Sequence, residues 1–149
     1  MKKAAIFDFN STLFDPSTYK LYPGVADMLD DLRDTYRLFL YSRRSFDRGR
    51  ILEELGIEDF FEAAYFAADK TPEELLSICA THKLSPAESL VIGDALSDEL
   101  SIAHAIGAET VWLKHGIFSH ASALATHFEP THTVHSIGEM HKLLRGLKQ

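Results

Sequence analysis

The 149-residue sequence has a single cysteine, Cys79, so no intramolecular disulfide is available to staple the chain. Its neighbours Leu75, Leu76 and Ile78 mark Cys79 as a core thiol, in keeping with a reducing compartment. Long apolar runs are also absent: nothing approaches the ~20 residues that cross a bilayer. Only Ala4 to Phe7 separate Lys2 and Lys3 from the first acid, too short a run for a secretory signal. The expectation is a cytoplasmic protein with no membrane partner. Basic residues are in deficit, 15 Lys and Arg against 22 Asp and Glu for a net charge of -7, which argues against nucleic acid as a partner. An acidic protein that handles an anion must gather cations locally. Internal repeats, low-complexity tracts and linkers are missing as well. One domain spanning residues 1–149 is therefore expected.

What is present is a regular alternation of short apolar runs and amphipathic segments. The runs at Ala4 to Phe7, Arg37 to Tyr41, Ala63 to Ala67, Ser89 to Ile92, Thr110 to Leu113 and Thr131 to Val134 read as buried strands. Asp15-Pro16-Ser17-Thr18 reads as a turn in a loop or small hairpin over the end of the first strand. Between the strands, Val25, Met28, Leu29 and Leu32 share one helical face. Ser45 fits an N-cap for a helix through Leu55 that Gly56 stops. Thr71-Pro72-Glu73-Glu74 and Ser85-Pro86-Ala87-Glu88 are helix-start signals of the capping-box type. Ser97 fits a cap for a helix that Gly107 ends, Ala121 to Ala125 is weakly helical, and Ser136 opens a last helix near Gly146. Such alternation predicts a three-layer α/β fold, a parallel sheet with helices on both faces.

Four of the strands end in polar chemistry: Asp8, Ser42, Lys70, and the pair Asp94 and Asp98. In a parallel sheet these ends lie along one edge, where ligands bind. Carboxylates gathered at a point repel unless they share a cation, and an all-oxygen set with room for water suits Mg²⁺. Lys70 precedes a helix N-terminus, where the helix dipole disfavours a cation, so its placement makes sense if an anion binds there. The Ser42 hydroxyl and the backbone N–H groups of Phe9 and Asn10 complete a phosphate cradle. Asp8 is then the candidate nucleophile, forming an aspartyl-phosphate.

Asp8-Phe9-Asn10-Ser11-Thr12-Leu13, Ser42 after its strand, Lys70 before a Pro-containing helix start, and Gly93-Asp94-Ala95-Leu96-Ser97-Asp98 together resemble the four motifs of the haloacid dehalogenase-like (HAD) superfamily. That resemblance implies a Rossmann-like sheet of order 5-4-1-2-3 and a Mg²⁺ ion held by Asp8, the backbone carbonyl of Asn10 and Asp94, with Asp98 supporting the loop. It implies phosphoryl transfer on a small phosphorylated substrate, with Lys70 and Ser42 in the roles derived above. The short intervals between Asp8, Ser42 and Lys70 leave no room for a cap domain. A capless member can be covered by a neighbouring copy, as a homo-oligomer.

Two positions depart from the family pattern. Hydrolytic members carry Asp-x-Asp-Gly-Thr, whereas this chain has Asn10 and Ser11 at the third and fourth positions. A carboxamide cannot shuttle the proton that the second Asp handles, a contribution of ~10²–10⁴-fold in rate. Three readings stay open: a slow phosphatase with Asp15 or a histidine such as His115 as substitute base, a phosphotransferase or an enzyme whose substrate brings its own proton donor, and a non-catalytic phosphate-binding module. Arg43 and Arg44 are either a grip on the distal part of an anionic substrate or a solvated pair. The histidines at 115, 120, 127, 132, 135 and 141 lack the spacing of a zinc site.

Overall fold

The computed structural model describes residues 2–44, 48–115 and 128–148. Ser45, the stretch from Ala121 to Ala125, His120 and His127 lie outside these, so the cap and helix expected there are not described. Six strands make one sheet: β1 Ala4–Phe7, β2 Arg37–Arg43, β3 Ala63–Ala67, β4 Ser89–Gly93, β5 Glu109–Leu113 and β6 His132–Val134. All five pairings are parallel. The spatial order is 3-2-1-4-5-6, which differs from the expected five-strand order by the sixth strand added beyond β5.

Side-chain alternation along the strands sorts the core into two layers. Ala5 and Phe7, Leu38 and Leu40, Leu90 and Ile92, and Val111 and Leu113 face α1 (Val25–Leu32), α2 (Arg48–Glu54) and α5 (Ile137–Gly146). On the other face, Ala4, Ile6, Phe39, Tyr41, Val91 and Trp112 pack on α3 (Pro72–Thr81) and α4 (Ser101–Ala105). Both faces of β1 and β4 are fully buried, which is why these strands read as continuous apolar runs. Cys79 lies in the second layer, buried as expected, and burial pushes its thiol pKa up.

The helices start where local chemistry directs them. Thr71 caps α3, its hydroxyl accepting the Glu74 N–H at 3.1 Å, and Ser136 caps α5 through Glu139 in the same way. Ser85 donates its N–H to Glu88 Oε1 at 3.0 Å to close a single 3₁₀ turn before β4. The expected cap at Ser97 is not formed. The chain after β4 enters a wide, π-type turn at Leu96–Leu100 whose backbone departs from helical angles at Asp98, and α4 follows it directly. Between β1 and β2 the chain makes only α1 and a hairpin pairing Phe14–Asp15 with Lys20–Leu21. Among the described residues, no cap domain is inserted there or in the short β2–β3 interval. Among the described residues, no helix is long and apolar enough to cross a membrane.

Candidate active site at the strand ends

Because β1, β2 and β4 run parallel, their C-terminal ends deliver Asp8, Ser42 and Asp94 to one edge of the sheet. The Asp8 N–H donates to the Ile92 carbonyl at 2.9 Å, so β1 stays registered with β4 up to the carboxylate itself. Beyond Asp8 the chain folds tightly: the N–H groups of Thr12, Leu13 and Phe14 all converge on the Phe9 carbonyl within 3.2 Å. This turn puts Ser11 at φ 61, a left-handed conformation that glycine adopts most readily. It also returns the Thr12 hydroxyl to Asp8 Oδ2 at 3.3 Å. On the β4 side, the Trp112 indole N–H donates to the Asp94 carbonyl at 2.9 Å and anchors that loop.

Lys70 reaches the same point from the β3–α3 connection. Its side chain is 1% exposed, with Nζ 2.9 Å from Asp8 Oδ1 and 3.1 Å from Glu99 Oε2. Burial disfavours the ammonium, but the Glu99 and Asp8 carboxylates outweigh it and hold the Lys70 pKa above its usual value. The cleft in front of these groups has a volume of about 210 Å³, and Asn10, Ser11, Ser42, Arg43, Arg48 and Asp98 are among the residues lining it with Asp8 and Asp94. This is smaller than the ~300–1,000 Å³ usual for small-molecule sites. Among the described residues, the buried Ser42 hydroxyl has only its neighbour's carbonyl, at 3.3 Å, as a partner.

The structure therefore brings Asp8, Asn10, Ser42, Arg43, Lys70, Asp94 and Asp98 into one neighbourhood. Phe9 differs in kind: its ring is buried, stacked on Phe14 with centroids 5.0 Å apart and under the Arg48 guanidinium at 4.9 Å. Only its backbone is left to meet a ligand. Arg43 binds Asp98 through two hydrogen bonds of 3.2 and 3.3 Å, and Asp98 lies 3.9 Å from Lys70. Asp98 is thus the partner of two cations. The acid that closes on Asp8 and Asp94 is its neighbour Glu99, which the sequence reading did not single out. Oxygens of Asp8, Asp94 and Glu99 lie within 4.8 Å of one another.

The three carboxylates are buried, and one ammonium does not balance them. Burial, reinforced by the charge on Asp8, pushes the Asp94 pKa up to about 7. Burial and Asp8 likewise raise Glu99, whose Oε1 has no hydrogen-bond partner among the described residues. Excess buried negative charge on an oxygen-only donor set fits a hard divalent cation. Neither substitute base occupies the cleft wall. Asp15 accepts the Ser17 N–H and hydroxyl, which hold its pKa low. His115 has Nε2 3.0 Å from the Ser11 carbonyl and its ring 4.2 Å from that of Tyr22, and burial lowers its pKa.

A parallel α/β sheet with acids, a lysine and a hydroxyl gathered at its C-terminal edge defines the class as a doubly wound α/β fold, with its polar groups at the edge where such sheets bind ligands. A family model described as HAD-hydrolase-like matches residues 68–140, a span that includes Lys70, Asp94 and Glu99. A haloacid dehalogenase-like hydrolase from Streptococcus pneumoniae superposes with a TM-score of 0.81 at 18% identity, covering 99% of both chains. A HAD phosphatase from Thermococcus onnurineus gives 0.80 at 16%, covering 99% of this chain and 100% of its own. A protein from Haemophilus somnus described as a predicted phosphoglycolate phosphatase gives 0.70 at 23%, covering 83% of this chain and 57% of its own. No curated protein matches the sequence. Residues 68–140 are similar to the haloacid dehalogenase-like hydrolases, and the fold of the whole chain is the one that their solved structures share.

Proposed function

We propose that this chain is a magnesium-dependent phosphohydrolase that passes the phosphoryl group of a small phosphomonoester first to Asp8 and then to water. The observation that carries this reading is the Asp8 carboxylate at a cleft floor, 2.9 Å from the buried Lys70 ammonium and clustered with Asp94 and Glu99. Held by Asp8, Asp94 and the Asn10 carbonyl, with Glu99 beside them, a magnesium ion would supply Lewis-acid stabilisation of the phosphoryl charge.

The chain's own groups do the rest. One Asp8 oxygen attacks phosphorus as the ester P–O bond breaks, and the leaving oxygen departs with the electron pair. Lys70, the Ser42 hydroxyl, the N–H groups of Phe9 and Asn10, and Arg43 meet the charge on the phosphoryl oxygens. Water then attacks phosphorus, the Asp8 O–P bond breaks, and inorganic phosphate leaves with the carboxylate restored. Asn10 cannot protonate the leaving oxygen, so substrates whose alcohols are good leaving groups are favoured. The same residue supports a second reading, a phosphate-binding module without turnover.

An assay with para-nitrophenyl phosphate and Mg²⁺ separates the two. Turnover that disappears in Asp8→Asn and on chelation supports the enzyme. Phosphate binding by calorimetry without turnover supports the module.

A further inference from the structure

Lys70 sits in a loop, yet its ammonium must meet Asp8 and Glu99 at hydrogen-bond distance, so something must fix the chain where α3 begins. Thr71 and Glu74 stand at capping-box spacing, and half of the box is formed, with the Thr71 hydroxyl accepting the Glu74 N–H at 3.1 Å. The reciprocal half is replaced. The Thr71 N–H donates to the hydroxyl of Tyr41 at 3.3 Å, and that hydroxyl donates to Glu74 Oε1. A tyrosine oxygen from β2 is thus inserted into the cap of α3.

Tyr41 is 1% exposed. Burial, followed by the Glu74 carboxylate, raises its pKa, which keeps the hydroxyl protonated and donating. The same side chain presents its ring to Lys70, with Nζ 5.3 Å from the ring centroid, a favourable distance for a cation and an aromatic face. Tyr41 immediately precedes Ser42 on β2. By strand alternation it faces α3 and α4 on the opposite side of the sheet from Leu40 and packs beside Leu75. The two groups meant for one phosphate, Ser42 and Lys70, are therefore held in mutual register by a single residue between them.

Resting on the phosphohydrolase reading above, we propose that Tyr41 is a positioning residue that acts through Lys70. Its hydroxyl locks the first turn of α3 to β2, and its ring supports the ammonium, so that Nζ is placed before substrate arrives. Without the hydroxyl, the Glu74 carboxylate is free to close the ordinary capping box on the Thr71 N–H. The backbone at Thr71 then shifts and carries the adjoining Lys70 with it.

Tyr41→Phe keeps the ring and removes the hydroxyl. With para-nitrophenyl phosphate the expected result is a fall of about tenfold in kcat with KM within about twofold, since small misplacements of a catalytic group act on the rate. Glu74→Ala should reproduce the loss, and Glu74→Gln, which retains an acceptor for the hydroxyl, should restore most of the activity. In a Lys70→Met background, Tyr41→Phe should add nothing, which is how a residue acting through another behaves in a double-mutant cycle. Unchanged kcat in Tyr41→Phe, or a full loss repeated on top of Lys70→Met, overturns the proposal. Calorimetric binding of inorganic phosphate by the wild type, Tyr41→Phe, Lys70→Met and the double variant gives a readout independent of turnover. Wild-type binding without turnover removes the phosphohydrolase reading, and a weakening by Tyr41→Phe that disappears without Lys70 then still supports the coupling. Additive weakening, or no phosphate binding at all, overturns it.

Discussion

Asn10 concentrates the chemical question at the residue scale. It lines the cleft beside Asp8, at the position where the resemblance to the HAD superfamily expects a proton-shuttling Asp, and neither Asp15 nor His115 lines the cleft to replace it. Asn10→Asp should therefore raise turnover by about 10²-fold on alkyl phosphates, the low end of general acid–base contributions. The gain should be smaller on aryl phosphates, whose leaving groups need less help. Measured kcat for both substrate types checks this, and an equal rate in the two proteins would mean that another group does the work. Asp8, Lys70 and Asp94 were legible in the sequence because each is a polar residue following an apolar strand, a local and unusual pattern. Glu99 was not. It adjoins Asp98 on a stretch that reads as an ordinary helix start, and nothing local says which of two consecutive acids turns inward.

That choice is made at the scale of the element joining β4 to α4. The five strands expected at residues 4 to 113 form where they were read, because a strand buried on both faces leaves an apolar signature in the sequence. Ser97 failed as a helix cap because the chain takes a wide turn that carries Glu99 under the cleft, and the turn depends on a neighbour several residues away. Gly93 makes the space: a Cβ built there would lie 1.8 Å from Glu99 Oε1 and 2.6 Å from Glu99 Cδ. No bond allows that approach, so Gly93→Ala must expel the carboxylate or distort β4. The expected cost is about 1–3 kcal/mol of unfolding free energy, the usual range for overpacking. Because a displaced Glu99 also abandons Lys70, kcat should fall in the same variant. Denaturant unfolding and a rate assay together check the prediction, and wild-type values in both would show that Glu99 accommodates the methyl group elsewhere.

For the whole molecule, a parallel sheet collects its chemistry at one edge, and here that edge carries buried acids in a chain already at net charge -7. Folding without a cation therefore works against their ionisation. Asp94 shows the sign: its folded pKa is raised from 3.8 to about 7, so between those values the folded metal-free chain holds more protons than the unfolded one. Stability of the metal-free protein should fall as pH rises through that window and level off above about 7. A divalent cation opposes this, because it binds the deprotonated carboxylates and stabilises the folded state in proportion to the logarithm of its concentration over its Kd. The increase in Tm produced by Mg²⁺ should accordingly be larger at pH 8 than at pH 5.5, where protons compete for Asp94. Asp94→Asn should reduce both the metal-induced shift and the pH dependence of the chelated protein. Thermal unfolding with Mg²⁺ and with chelator at the two pH values decides it: a Tm indifferent to the metal at pH 8 would mean that the acids at the sheet edge are balanced by Lys70 and the arginines alone.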